Sequence, residues 1–142
     1  MDYQEYLNRV NRGTQLFEMG NYQAALQIFE TLVLSDISDI DKSRMCINTA
    51  VIYEKLELIP QALQWYDRGI ELEKPHCRFE AQEYKAVYLK EVGRQRESLR
   101  IYESLLATPH LTEEDKLRMR NNVQELYKEL SKPVYRRPGA PD

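Results

Sequence analysis

The sequence has few glycine and cysteine residues and no long apolar segment. Of 142 residues, only 5 are glycine and 2 are cysteine. So few glycines cannot supply the tight turns of a many-stranded sandwich or barrel, and two cysteines are not a disulfide framework. The apolar runs are too short for a transmembrane helix, and the polar, acidic residues 1–5 are unlike a signal peptide. We therefore expect a cytoplasmic protein, with Cys46 and Cys77 as reduced thiols.

The chain also has no excess of positive charge. It carries 20 Lys+Arg against 23 Asp+Glu, a formal net charge of −3. Nucleic-acid binding and polybasic membrane binding both depend on a basic face, so we expect neither kind of partner. With 42% hydrophobic and 10% aromatic residues, the chain is too apolar to be disordered throughout.

An internal repeat organises most of the sequence. Leu26, Leu63 and Leu99 are identical and lie 37 and then 36 residues apart. Five further columns of similar residues follow the same two steps: Gly13, Ala50 and Ala86; Leu16, Tyr53 and Leu89; Ala25, Ala62 and Ser98; Phe29, Tyr66 and Tyr102; Val33, Ile70 and Leu106. Stacked repeats of this kind share one continuous core, because no single unit can bury its apolar face alone.

Each repeat reads as two helices. Apolar residues at helical spacing predict helices at about 3–18, 22–34, 41–56, 60–73, 78–91 and 95–107. A seventh, capping helix is predicted over 112–131, with Thr112 as its N-cap. Asn21 is the predicted N-cap of the second helix. Three prolines and no periodicity predict a flexible tail at 132–142. The predicted fold is all-α, with about seven antiparallel helices in a single domain over residues 1–131.

These columns resemble the tetratricopeptide repeat (TPR), whose unit is about 34 residues long. The resemblance covers repeats at about 6–39, 43–76 and 79–111, with the capping helix after them. Three features depart from the family: the units are a few residues longer, Arg9, Cys46 and Gln82 stand where it has tryptophan, and Gly69 replaces a residue that is usually alanine. The resemblance implies a right-handed α-α superhelix that serves as a protein-binding scaffold.

In this family the first helix of each repeat lines a concave groove, which implies a binding surface here. The implied groove residues are Val10, Asn11, Thr14, Phe17, Arg44, Ile47, Asn48, Val51, Lys55, Glu80, Tyr84 and Val87. Asn48 and Asn11 are the best candidates to hold a peptide backbone, since an amide both donates and accepts hydrogen bonds. Of the whole set, Asn48 and Tyr84 are the residues most expected to face a ligand. The alternative is that the apolar members of this set pack against neighbouring helices.

One subclass of the family binds the C-terminal carboxylate of heat-shock chaperones through Lys, Asn, Asn, Lys and Arg. The corresponding residues here are Val10, Thr14, Asn48, Glu80 and Tyr84. Only Asn48 matches, and Glu80 would repel a carboxylate. We therefore do not expect this recognition mode. The mixed groove looks more like those of secretion chaperones that hold an extended partner segment.

Signals for an enzyme, a cofactor or a metal are weak. His76 and Cys77 are adjacent in a predicted turn, without the spaced partners of a zinc site. Arg94, Arg96 and Arg100 form a small basic cluster that fits either a solvated face or an anionic partner. We expect a non-catalytic module that binds a protein or peptide. The alternative is a structural subunit that self-associates, as a homo-oligomer, or docks into a larger assembly.

Overall fold

Seven α-helices and one short 3-10 helix make up the computed structural model, which describes residues 1–132 and contains no strand among them. The elements are α1 (Tyr3–Glu18), α2 (Tyr22–Val33), α3 (Asp39–Lys55), α4 (Ile59–Glu73), the 3-10 helix (Lys74–His76), α5 (Glu80–Glu91), α6 (Gln95–Leu106) and α7 (Glu113–Ser131). The seven predicted helices are confirmed. The 3-10 helix was not predicted. The predicted tail lies outside the described residues, apart from Lys132.

Side chains cap the start of four helices. In each case the capping oxygen accepts a hydrogen bond from the backbone N–H three residues later, which satisfies a donor that has no partner within the helix. The caps are Asp2 (2.8 Å), Asn21 (3.4 Å), Ser38 (3.1 Å) and Thr112 (3.1 Å). The predictions for Asn21 and Thr112 are thus confirmed, while the Ser38 cap explains why α3 begins before the predicted residue 41.

The first helix of each repeat ends in a left-handed residue. Gly20 and Gly93 have φ of 78° and 84°, and Glu57, which occupies the same repeat column, has φ of 59°. After each of them the next backbone N–H bonds back to the helix, as when Leu58 N donates to Tyr53 O at 3.0 Å. This hydrogen bond gives a donor to a carbonyl oxygen in the last turn of the helix, which has no partner within the helix.

The chain divides into two compact units, residues 1–85 and the residues from Ala86 onward. In the first unit the core is formed mainly by α1, α2 and α3, with Leu16, Leu26 and Phe29 among its buried members. Gly13 lies where α1 meets α2: a Cβ placed there would be 2.6 Å from Phe29 Cε1. The absence of a side chain at Gly13 therefore allows α1 and α2 to pack closely.

The second unit contains the end of α5 together with α6 and α7. Ser98 on α6 donates a 2.6 Å hydrogen bond from its buried hydroxyl to the carbonyl oxygen of Ala86 on α5. On α7, Met119 and Leu126 are fully buried, whereas Leu117 and Tyr127 are exposed. The division of this helix into a buried and an exposed face fits its predicted capping role.

No helix among residues 1–132 is both long enough and apolar enough to cross a membrane.

Candidate functional site

Helices α1, α3 and α5, with Phe29 of α2, line two adjoining cavities in the first unit. The first, of about 280 Å³, is called the Phe17 cavity. The residues that line it are Thr14, Phe17, Glu18, Phe29, Ile47, Asn48, Val51, Ile52 and Tyr84. The side chains are mostly apolar, and Thr14, Glu18 and Asn48 supply the polar groups.

The second cavity, of about 250 Å³, is called the Glu80 cavity. It is lined by Tyr6, Val10, Arg44, Met45, Ile47, Asn48, Glu80 and Tyr84. Ile47, Asn48 and Tyr84 belong to both cavities. The two cavities therefore form one groove, which lies entirely within residues 1–85 and is called the groove below.

Nine of the twelve predicted groove residues line this groove. They are Val10, Thr14, Phe17, Arg44, Ile47, Asn48, Val51, Glu80 and Tyr84. Asn11 and Lys55 are exposed and line neither cavity, while Val87 is exposed and belongs to the second unit. The helical period of 3.6 residues predicts which side of a helix lines the groove, but it does not predict how wide the lining strip is. Asn11 on α1 and Lys55 on α3 lie just outside that strip.

Five lining residues escaped the sequence analysis: Tyr6, Glu18, Phe29, Met45 and Ile52. Four of them are buried, so their apolar character marked them as core rather than as the floor of a groove. Glu18 directly follows Phe17 at the end of α1. It could have been noticed as an acidic residue at a helix C-terminus, where negative charge is disfavoured.

Asn48 lies at the centre of the groove with its amide free. Ile47 beside it is only 5% exposed and forms part of an apolar floor, whereas Tyr84 is 46% exposed and faces solvent. Among residues 1–132, no protein group forms a hydrogen bond with the half-buried Asn48 side chain. An amide placed this way can donate to and accept from the main chain of a bound segment.

The positive charge in the groove is balanced within the chain. Arg44 Nη1 lies 3.9 Å from Asp41 Oδ1. Burial, followed by the influence of the Asp41 carboxylate, raises the pKa of the Tyr6 hydroxyl to about 12.

A larger open cavity of about 800 Å³ lies along α2, α3 and α4, where Leu34 is exposed. Most charged side chains at the edge of this cavity already interact with another side chain of the protein. Asp67 pairs with Lys85 at 2.7 Å, Glu71 pairs with Lys74 at 2.7 Å, and the Arg68 guanidinium lies 4.3 Å from the centre of the Trp65 ring. This surface thus offers a ligand fewer unpaired groups than the groove does.

The remaining chemical candidates occupy ordinary structural positions. His76 Nε2 lies 3.1 Å from Asp39 Oδ2 on the surface, and Cys77 is exposed in the adjoining turn. Cys46 is buried, and this burial raises the pKa of its thiol to about 11. Within the described part of the chain, no three His, Cys, Asp or Glu side chains cluster in a way that could hold a metal ion.

The paired helices, the small residues at their crossings and the left-handed stop between them define a TPR-like helical-repeat fold. A solved structure, the first TPR of Spaghetti (RPAP3) bound to the HSP90 peptide SRMEEVD, matches 93% of this chain and 98% of its own with a TM-score of 0.62. The two sequences are 17% identical, so this likeness establishes the fold. The chain belongs to the family described as a domain of unknown function, DUF6340, whose pattern it matches over residues 11–94. No curated protein sequence matches the chain.

Proposed function

We propose that this protein is a non-catalytic interaction module that binds an extended segment of a partner protein in the groove of its first unit. The observation that carries the proposal is the free Asn48 amide at the junction of the two cavities, between the buried Ile47 and the exposed Tyr84. Interaction sites commonly combine an apolar floor with a few placed polar groups and an exposed aromatic residue.

The known use of the fold supports the same function. A TPR-like fold is typically a scaffold without catalytic activity, and the Spaghetti (RPAP3) domain is bound to a peptide in its solved structure. The two cavities of the groove, of about 280 and 250 Å³, each have room for a side chain of a bound peptide. The cytoplasmic location and the lack of nucleic-acid and membrane partners remain predictions from composition.

The proposal is tested by selecting short random segments, displayed between flexible linkers, on the full chain. We expect enrichment of particular segments, whose affinities are then measured by fluorescence anisotropy. Asn48→Ala and Tyr84→Ala should each weaken binding about tenfold or more, as for central interface residues. The matched controls Asn121→Ala and Tyr3→Ala change exposed residues outside the groove and should bind as the wild type does. Failure to enrich any segment would overturn the proposal.

The peptide SRMEEVD provides a second, more specific test, because a carboxylate clamp is not expected here. Val10, Thr14 and Tyr84 supply no cation to the groove, and Glu80 adds a negative charge. We expect SRMEEVD to bind no better than the same residues in scrambled order. Binding that is lost on amidation of its C-terminus would show that a clamp is present after all.

A further inference from the structure

The groove contains two carboxylates without a partner. Glu18 lines the Phe17 cavity, and Glu80 lines the Glu80 cavity. In residues 1–132, neither carboxylate takes part in an ion pair or a side-chain hydrogen bond. The remaining charged lining residue, Arg44, is balanced by Asp41 at 3.9 Å. The charge that the groove offers to a ligand is therefore negative.

Local structure does not account for Glu18. It is the last residue of α1, and the last turn of this helix holds no basic residue. The helix dipole disfavours a negative charge at that end, so Glu18 does not stabilise α1 where it stands. Glu80 is different, because it begins α5 and the dipole favours an acid there. Both carboxylates are exposed, so a ligand in the groove can reach each of them.

The distance along the groove limits how a ligand can meet both carboxylates. On α3 the lining residues run from Arg44 to Ile52, which is about 12 Å at about 1.5 Å per residue. About four residues of an extended chain cover this length at about 3.3 Å each. Asn48 lies within this stretch and can hold the main chain, with the apolar floor around Ile47 beside it.

We infer that the groove binds an extended partner segment in which basic side chains flank a central apolar side chain. One basic side chain pairs with Glu18 and the other with Glu80, while the apolar side chain packs on Ile47. Opposite charges at both ends set the register of the segment and disfavour acidic partners. This inference rests on the proposed function, since it specifies the chemistry of the segment in the same groove.

The experiment compares segments selected by the wild-type chain with those selected by charge-reversed variants. Segments from the wild type should carry Lys or Arg on both sides of an apolar residue. Glu18→Lys and Glu80→Lys should each favour Asp or Glu at one flank, and should weaken the wild-type segments about three- to tenfold. The matched control is Glu91→Lys, an equal charge change at an exposed residue of α5, which should leave the selection unchanged.

Two further variants separate charge from folding. Glu18→Gln and Glu80→Gln keep the size of each side chain, and they should lose the preference for basic flanks while still binding apolar segments. The effect should also shrink at high salt, because exposed charges are screened. Enriched segments without any basic preference would overturn this inference and leave the proposed function standing. Enrichment of no segment at all would overturn the proposed function itself.

Discussion

The Ser43 hydroxyl on α3 donates a 2.5 Å hydrogen bond to the Glu73 carboxylate on α4, and both residues are buried. The same carboxylate accepts the backbone N–H of Ala81, in the first turn of α5, at 3.2 and 3.1 Å. Glu73 thus joins three helices through one side chain. A buried carboxylate held in this way remains fully hydrogen-bonded, which offsets the cost of removing it from water.

Glu73→Ala should lower the free energy of unfolding by about 1–3 kcal/mol, because the Ser43 hydroxyl and the Ala81 N–H both lose their acceptor inside the protein. Ser43→Ala should cost less, since the carboxylate keeps its bond to Ala81. Urea denaturation of the full chain measures both. The matched control is Glu71→Ala, which removes a carboxylate that is 70% exposed and should change stability by under about 0.5 kcal/mol. Equal losses for Glu73→Ala and Glu71→Ala would contradict the structural role of Glu73.

Glu57 occupies the left-handed position that glycine fills in the other two repeats. Its φ is 59°, against 78° at Gly20 and 84° at Gly93. A side chain in this conformation is strained by about 1 kcal/mol, so Glu57→Gly should raise the free energy of unfolding by about 0.5–1 kcal/mol. Gly20→Ala and Gly93→Ala should lower the free energy of unfolding. Nothing lies within 4 Å of an added Cβ at either position, so the loss comes from backbone strain and not from a steric clash. Urea denaturation gives all three values, and a loss of stability in Glu57→Gly would refute the argument.

The repeat columns were sufficient to predict the helices. Equivalent positions of each repeat pack in the same way, so residues of similar size recur at fixed intervals along the chain. Gly13 and Phe29 stand in two such columns, and the structure places them in contact between α1 and α2. Local signals located the caps at Asn21 and Thr112. The 3-10 helix at Lys74–His76 has no periodic signal, since a single turn is too short to show one.

Less of the groove could be predicted. The family resemblance, together with the helical period, predicted which side of α1, α3 and α5 lines the groove, including Asn48 and Tyr84. It did not point to Glu18, because the lack of an ion pair or side-chain hydrogen bond for this carboxylate within residues 1–132 depends on side-chain positions. Nor could it reveal that Arg44 is balanced by Asp41, because that pairing depends on side-chain conformations.

The close approach of α1 to α2 requires glycine at position 13. An alanine Cβ there would lie 2.6 and 2.7 Å from Phe29 Cε1 and Cζ. Although alanine favours a helix over glycine by about 1 kcal/mol, we expect Gly13→Ala to be destabilising by about 1–3 kcal/mol through overpacking. Combining it with Phe29→Leu should recover part of the loss, which thermal or urea unfolding of the single and double variants measures.

Gly69→Ala provides the comparison for Gly13→Ala. The nearest atom to a Cβ at Gly69 is Ala81 Cβ at 3.2 Å, so a shift of a few tenths of an ångström relieves the contact. We expect a smaller loss of stability at Gly69 than at Gly13. Equal losses would indicate that the general cost of a methyl group in a buried helix, rather than the Phe29 ring, determines the effect.

The two cysteines should react at very different rates. Cys77 is exposed, whereas Cys46 is 0% exposed and burial raises the pKa of its thiol from 9.0 to about 11. At pH 8 a thiol reagent such as DTNB should label Cys77 at once and Cys46 only on unfolding, since the thiolate is the reacting form.

Because the pKa of the Cys46 thiol is higher in the folded state than in the unfolded state, stability due to the protonated thiol is complete below pH 9 and falls as the pH rises towards 11. The Cys77→Ser variant isolates Cys46, and adding Cys46→Ala should flatten the alkaline loss of stability. Rapid labelling of Cys46 in the folded Cys77→Ser variant would disprove this prediction.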